Sequence, residues 1–312
     1  MVLFSAAALL FGGTKLSPKD VFAGLLGIGE KTAVVIVRSI RLPRLLGGLA
    51  AGAGLSVSGV LLQSATDNGL ASPNIIGVNS GAGLAVILVL SFFPKAVPAL
   101  PVAAFAGAIA ATFLIVWTAN CIDSTKSSII LAGMALTTVL NACISFVSLL
   151  DTDVVAVYNY FSVGGLAGVT AGELAVPAGM IAVSLAVSLA LSGKISALGL
   201  GDSVAASLGI RVKALRAVCL VCASASAAAV VSFAGLLGFV GLIVPHMVRA
   251  IVGGNVRRCL IAAPLAGGAV VTLADTLGRT VFAPTEVPVG VVMALVGSPF
   301  FLMLLLRRKR RA

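Results

Sequence analysis

Residues 235–258 read GLLGFVGLIVPHMVRAIVGGNVRR, and residues 273–301 read LADTLGRTVFAPTEVPVGVVMALVGSPFF. Two apolar runs bracket a connection that carries Arg249, Arg257 and Arg258, and a third run follows Glu286. The runs are continuous rather than alternating, which marks helices. They approach the roughly 20 residues that a helix needs to cross a hydrocarbon core of about 30 Å.

The rest of the chain extends this pattern. It has 312 residues, of which 60% are hydrophobic and 10% charged, and a mean hydropathy of +1.17. A soluble domain carries about 25% charged residues, so this chain cannot cover a water-facing surface and belongs in a bilayer. Backbone groups in lipid must be satisfied internally, by helices or a closed barrel, and the unbroken apolar runs decide for helices. The 35 glycines suit close helix–helix approach. Apolar helices are expected at 2–12, 43–63, 75–93, 97–118, 127–150, 174–193, 214–234, 236–252, 261–279 and 288–306. The expected fold is an all-α polytopic membrane protein of about ten transmembrane helices, one domain over residues 1–312. Spans 2–5 and 7–10 are a candidate inverted repeat. The first run would rise only about 17 Å. No basic residue precedes it and no clear cleavage site follows, so it reads as a span shortened at its start rather than a signal peptide.

The net charge of +11 does not point to nucleic acid. The bases lie in short loops and at the C-terminus (Arg307, Arg308, Lys309, Arg310, Arg311), as a cytoplasmic membrane flank requires. With both termini cytoplasmic, the inner loops hold Lys126, Lys194, Arg211, Lys213, Arg216, Arg249, Arg257 and Arg258. The outer loops hold Lys15, Lys19, Lys31, Arg38, Arg41, Arg44, Lys95 and Arg279. Including the C-terminal cluster, the bias favours the inner side, with Arg38, Arg41 and Arg44 as a local exception. Of the five cysteines, Cys219 and Cys222 form a C-x-x-C inside a span with no second ligand pair. They read as small buried apolar residues.

Several residues stand out against this background. Pro43, between Arg41 and Arg44, suits the first turn of a helix. The two arginines anchor the chain at the interface by snorkelling, or they dock acidic residues of an extracytoplasmic protein through their planar forks. Asp275 lies within a span and is a functional candidate by default. Arg279, four residues on, faces the same side, so an ion pair between them is preferred to a proton relay. Gln63, Asn79 and Ser80 are polar groups at a membrane mouth, as gate or as helix caps. Leu200, Val204 and Leu208 recur every four residues and form one apolar stripe on a short helix, flanked by Gly201 and Asp202 and stopped by Gly209.

Pro245 is expected to bend the eighth span. His246 is the only histidine, and one histidine without companion ligands makes no metal site. It reads as a structural or gating residue. Gly297 and Pro299 are expected to interrupt the last span where it lines a cavity. Asp151, Asp153, Tyr158 and Tyr160 suggest a short outer amphipathic segment. No G-x-x-x-x-G-K-[ST] phosphate loop and no catalytic triad or metal arrangement is apparent. The chain is therefore read as a non-enzyme with no metal or cofactor of its own. Active transport would draw on a partner ATPase or on an ion gradient, with Asp275 as the ion site in the second case.

Gly238–His246, GFVGLIVPH, followed by Arg249, resembles the FecCD family of membrane permeases. Residues 58–83 resemble the family pattern at Gly59, Gln63, Asn68, Leu70, Ala71, Pro73, Gly77, Val78, Ser80 and Gly81. Leu200–Gly209, Glu286–Gly290 and Gly297–Phe301 are similar to three further family segments. Gly69 and Leu236 stand where the family has proline, Ser72 where it has an acid, and Ala206 where it has a base.

The resemblance runs from about Arg38 to Arg307. It implies a type II ABC importer permease for iron–siderophore, haem or cobalamin, in the cytoplasmic membrane of a prokaryote. It implies pairing with a second permease copy, as a homodimer or with a related permease. Two ATP-binding subunits, which use ATP and Mg, would dock on the loop at 195–212 through Leu200, Gly201, Asp202, Val204, Leu208 and Gly209. An extracytoplasmic substrate-binding protein would dock at Arg41, Arg44 and Arg279. Gln63, Asn79, Ser80, Pro245, His246, Gly297 and Pro299 are the pathway or gate candidates.

Overall fold

A computed structural model describes residues 1–14, 16–122, 126–281 and 283–309. Lys15, Arg310 and Arg311 lie outside the described residues, as do the side chains of Lys126 and residues 307–309. Among the described residues the chain is helical and contains no strand. It begins with α1 (Val2–Leu10), α2 (Pro18–Leu26) and α3 (Lys31–Val35), then a π-helical turn, Ile36–Arg41, that leads into α4 (Leu42–Thr66). The remaining helices are α5 (Val78–Phe92), α6 (Leu100–Ile122), α7 (Lys126–Leu150), α8 (Asp153–Val163), α9 (Ala171–Ala190) and α10 (Ser192–Leu198). They are followed by α11 (Asp202–Ser207), α12 (Val212–Ala234), α13 (Val240–Val252), α14 (Val256–Thr280) and α15 (Val289–Lys309).

Six helices among the described residues are long and apolar enough to cross a membrane: Lys31–Thr66, Val97–Thr118, Ser127–Leu150, Ala171–Ala190, Val212–Ala234 and Val256–Thr280. Val78–Phe92, Val240–Val252 and Val289–Met303 are shorter apolar helices. These nine correspond to nine of the expected spans. The first expected span is α1, whose nine residues rise about 14 Å.

Pro43 does not start its helix. The helix runs unbroken over 36 residues from Lys31, about 54 Å at 1.5 Å per residue. The π-turn explains how. In an α-helix the Pro43 ring would strike the carbonyl four residues back. Here the Leu42 N–H bonds to the Val37 carbonyl, five residues back, and the widened turn makes room. A second correction concerns α15, which continues through Gly297 and Pro299 without interruption.

α4 is the hub of the bundle. It packs against α9, α12, α13 and α14, and 78% of its apolar window is buried, against 17% for α7. α7 leaves Leu131, Met134, Val139, Phe146 and Leu149 exposed, as a helix facing lipid or another subunit does. α4 and α14 cross at Gly52 and Gly267, where a Cβ on either would collide with the other's carbonyl oxygen.

α5 and α13 are short for a shared reason. After α4, residues 67–77 turn back into the bundle instead of crossing its end. Ala71, Ser72, Pro73, Ile76 and Gly77 are buried, and Pro73 lies with the Leu55 carbonyl against Gly241. Leu55 is about three turns before the end of α4. α5 therefore starts at depth, from Gly77 in the left-handed conformation (φ +70). α13 also starts at depth, from Phe239 with φ +64. Irregular backbone is tolerated there because protein surrounds it.

α8 is the segment expected from Asp151, Asp153, Tyr158 and Tyr160. Ser91 Oγ donates to Asp151 Oδ2 at 3.0 Å. Tyr158 is half-buried against Gly83, and burial pushes its phenol pKa up, so the hydroxyl stays protonated. Tyr160 is exposed.

Candidate functional site

Residues singled out in the sequence gather at the two ends of α4. At the Arg44 end, three arginines read as surface docking groups are buried instead. Arg41, Arg44 and Arg279 are 2%, 8% and 4% exposed. None of the three candidate docking arginines presents a free guanidinium at the surface of this chain. Arg44 Nε donates to both Asp275 oxygens at 2.9 and 3.1 Å, and Nη2 donates to Oδ1 at 3.0 Å. Its Nη1 donates to Glu286 Oε2 at 2.7 Å.

Arg41 Nη1 donates to the carbonyls of Leu9 and Leu10 at 2.5 and 3.0 Å, and Nη2 donates to Thr14 at 2.6 Å. Arg279 donates to the Ala8 carbonyl. The two arginines thus cap the C-terminus of α1, where unpaired carbonyls form the negative end of the helix dipole. Three cations are balanced by two carboxylates and one helix end.

Asp275 is not chiefly Arg279's partner. Arg279 Nε is 3.7 Å from Asp275 Oδ2, whereas Arg44 grips both oxygens. Arg44 wins because its fork approaches the carboxylate edge-on from the neighbouring helix. The carboxylate edge of Asp275 is thus occupied by a guanidinium rather than open to a bound ion.

The opposite end of α4 carries the loop at 195–212. Leu200, Val204 and Leu208 are 64%, 43% and 62% exposed, while Ala205 on the other face of α11 is fully buried. The stripe therefore faces away from the bundle. Gly201 (φ +102) and Gly209 (φ +77) bracket α11 in conformations that side chains rarely adopt. Asp202 Oδ1 accepts from Arg216 Nη2 at 2.5 Å, and Arg216 Nε donates to the Ala65 carbonyl in the last turn of α4 at 3.1 Å. Asp202 is half-exposed and Arg216 buried. Asp202→Asn is expected to cost less than about 1 kcal/mol. Arg216→Leu, which unpairs the buried Ala65 carbonyl, is expected to cost about 1–3 kcal/mol. Thermal unfolding of the two purified variants checks the order.

Gln63, one turn before the end of α4, reaches α13. Its Nε2 lies 3.4 Å from the carbonyls of Gly241 and Leu242, and its Oε1 accepts from Arg249 Nη1 at 2.6 Å. Beside it is a cavity of about 300 Å³ lined by Gln63, Ser64, Asp67, Ser196, Arg249 and Cys259, among others. Pro245 is buried in the middle of α13, and His246 beside it is half-buried.

Asn79 and Ser80 are buried in the first turn of α5, apart from Gln63. Asn79 Nδ2 donates to Asn74 Oδ1 at 2.6 Å, so it pins the re-entrant loop. Gly297 lies against Phe239 and Ile243, tying α15 to the start of α13. Cys219 is buried and Cys222 half-buried, both as free thiols. Among the described residues no three His, Cys, Asp or Glu side chains gather as metal ligands. Sequence reasoning missed Arg216 and Glu286 as members of these clusters. The signal was available in Arg216, a cation four residues inside a span.

A bundle of apolar helices with broken spans at depth and polar clusters at both ends of one central helix defines a polytopic membrane transporter. The FecCD transport family model matches residues 1–307. The chain belongs to the FecCD transport family, the transmembrane permeases of ABC importers whose ATPases are partner subunits. It is 33% identical over 306 residues to the Fe(3+)-citrate import system permease protein YfmE of Bacillus subtilis, covering 98% of this chain and 92% of that one. It is 39% identical over 287 residues to the cobalamin import system permease protein BtuC of Halobacterium salinarum, covering 92% and 77%. A solved metal-chelate type ABC transporter in an inward-facing conformation superposes with a TM-score of 0.88 at 27% identity, covering 98% of this chain and 96% of that one.

Proposed function

We propose that this chain is the permease of an ATP-driven importer that carries a metal chelate of the iron–siderophore, haem or cobalamin kind across the cytoplasmic membrane of a prokaryote. The relatives' cargoes support the class of substrate. The chain itself supplies no ATP site; ATP and Mg are used by two partner subunits. Two permeases, identical or related, form the pathway between them. Both termini are cytoplasmic, which puts α11 inside and the Arg44 cluster outside.

The observation that carries this reading is the stripe of Leu200, Val204 and Leu208. Three large apolar side chains stand exposed on the short helix α11 (Val204) and just before and after it (Leu200, Leu208), outside the long apolar spans. Asp202 and Arg216 fix that helix to α4. Such a stripe suits the cleft of an ATPase subunit. At the other end, Arg41, Arg44 and Arg279 shape the outer rim from within, and an extracytoplasmic binding protein meets the surface they support, where Glu286 is half-exposed.

The test is co-purification with the ATPase and ATP hydrolysis in proteoliposomes. Burying one Leu or Val stabilises by about 1.5–3 kcal/mol, and about 1.4 kcal/mol is tenfold in affinity. Changing Leu200, Val204 and Leu208 together to Asp is expected to weaken the complex by at least about tenfold and to abolish stimulation by the loaded binding protein. An unaltered complex would refute docking at α11.

A further inference from the structure

Pro245 has no amide hydrogen, so the Gly241 carbonyl one turn earlier in α13 lacks its helical donor. Gly241 is buried, and a buried carbonyl without a partner is costly. The donor that approaches it comes from another helix. Gln63 Nε2 of α4 is 3.4 Å from that oxygen and from the Leu242 carbonyl. Gly59, one turn before Gln63, makes the approach feasible, because a Cβ there would collide with the same Gly241 oxygen.

The other half of the amide is also engaged, since Gln63 Oε1 accepts from Arg249 Nη1 at 2.6 Å. Arg249 lies one turn beyond Pro245. A single side chain therefore clasps α13 on both sides of its proline. Arg249 and the Cys259 thiol, which donates to the Gly253 carbonyl at 3.4 Å, both line the cavity beside the clasp, as do Ile195, Ser196 and Gly199, in and just after α10.

The same turn of α4 is tied to α11. Ala65, two residues after Gln63, accepts from Arg216, which holds Asp202. A displacement of α11 has a bonded route through Arg216 and the last turn of α4 to α13, whose hydrogen-bond ladder is interrupted at Pro245.

We propose that Gln63 is a positioning residue for the transport cycle. Its amide latches the proline-freed Gly241 carbonyl to Arg249 and transmits movement of α11 into α13. The inference rests on the importer reading for the source of that movement, but the latch itself is testable without it.

The first arm uses the purified chain in detergent and compares thermal midpoints of Gln63→Leu, Pro245→Ala and the double variant. Alanine at 245 restores an N–H to the Gly241 carbonyl. Gln63→Leu is expected to lower the midpoint by several degrees in the parent chain and much less when Pro245→Ala is present. Additive shifts overturn the latch. Gln63→Glu, which keeps the acceptor for Arg249 and loses the donor, is expected to fall between and serves if the leucine variant does not fold.

The second arm uses the assembled complex, with the exposed Cys121 and Cys143 replaced by Ala and Met247→Cys introduced on α13 as the probe. The rate of labelling by an impermeant maleimide is expected to change several-fold on adding ATP and Mg. Gln63→Leu is expected to remove that change. An ATP response that survives Gln63→Leu overturns transmission and leaves a static brace, as does the lack of any response with Gln63 intact. Failure of the unmodified chain to assemble with its ATPase overturns the importer reading and transmission together, while the thermal cycle still decides the latch.

Discussion

Arg44→Leu is expected to destabilise the chain by about 3–5 kcal/mol, the cost of breaking a buried ion pair by removing one partner. Asp275 is 4% exposed and has Arg44 on both oxygens. Without Arg44 its charge would keep only Arg279, whose Nε is 3.7 Å from Oδ2, and little water. Glu286, the second partner, is half-exposed and would be rehydrated at small cost. The double variant Arg44→Leu, Asp275→Leu is expected to recover most of the loss, because replacing both members of a buried pair by apolar residues is often neutral. Thermal midpoints of the two single variants and the double variant in detergent give the answer. A double variant as unstable as Arg44→Leu would mean that shape, not charge, dominates at this end.

That expectation differs in kind from what the sequence offered. Arg41 and Arg44 were visible as a local excess of cations, and either anchoring or docking accounts for such an excess. Neither reading contained Asp275, because it lies 231 residues from Arg44 and only the fold brings α4 against α14. The sequence did place an acid and a base together at Asp275 and Arg279, since i,i+4 neighbours on a helix are legible without a structure. Proximity along one helix was a weaker constraint than the edge-on geometry available from the neighbouring one. Nothing in the sequence tied α1 to the arginines, as backbone carbonyls leave no trace in side-chain pattern.

The spans show the same division. Their number and type follow from apolar length, which is local. Their starts do not. Residues 75–77 and 236–239 belong to apolar runs and were read as helix, yet both stay irregular at depth because surrounding helices satisfy and enclose them. Gly77 and Phe239, both with positive φ, mark the true starts. The glycine was a readable signal for such a turn, and the phenylalanine was not. Pro43 and Pro299 were read as a start and a break, and both lie inside continuous helices, one rescued by a π-turn. The four-residue spacing of Leu200, Val204 and Leu208 was legible, but only Val204 lies on α11: Leu200 precedes Gly201, whose positive φ stands outside the helix, and Leu208 follows its last residue.

Gly52→Leu should have the second large effect, by a mechanism that owes nothing to charge. α4 and α14 are in backbone contact where Gly52 meets Gly267: a side chain at Gly52 strikes only the backbone of Gly267 and Gly268, and one at Gly267 strikes the Gly52 carbonyl as well as Ser56 Oγ. In lipid no hydrophobic force draws helices together, and association depends on such close approach. Overpacking a tight core costs about 1–3 kcal/mol, and more where backbone must move. Gly52→Leu is expected at or beyond the top of that range, with loss of the monodisperse species on size exclusion. Gly179 in α9 is the control, since a Cβ there meets nothing within 4 Å. Gly179→Ala is expected to leave the thermal midpoint unchanged or slightly raised, as alanine is the better helix former by about 1 kcal/mol. Equal effects at the two glycines would deny that the α4–α14 crossing holds the bundle. A severe loss at Gly52 alone would identify the crossing as the joint that keeps the Arg44 cluster together, because Arg44 and Asp275 reach one another only while α4 and α14 remain in backbone contact.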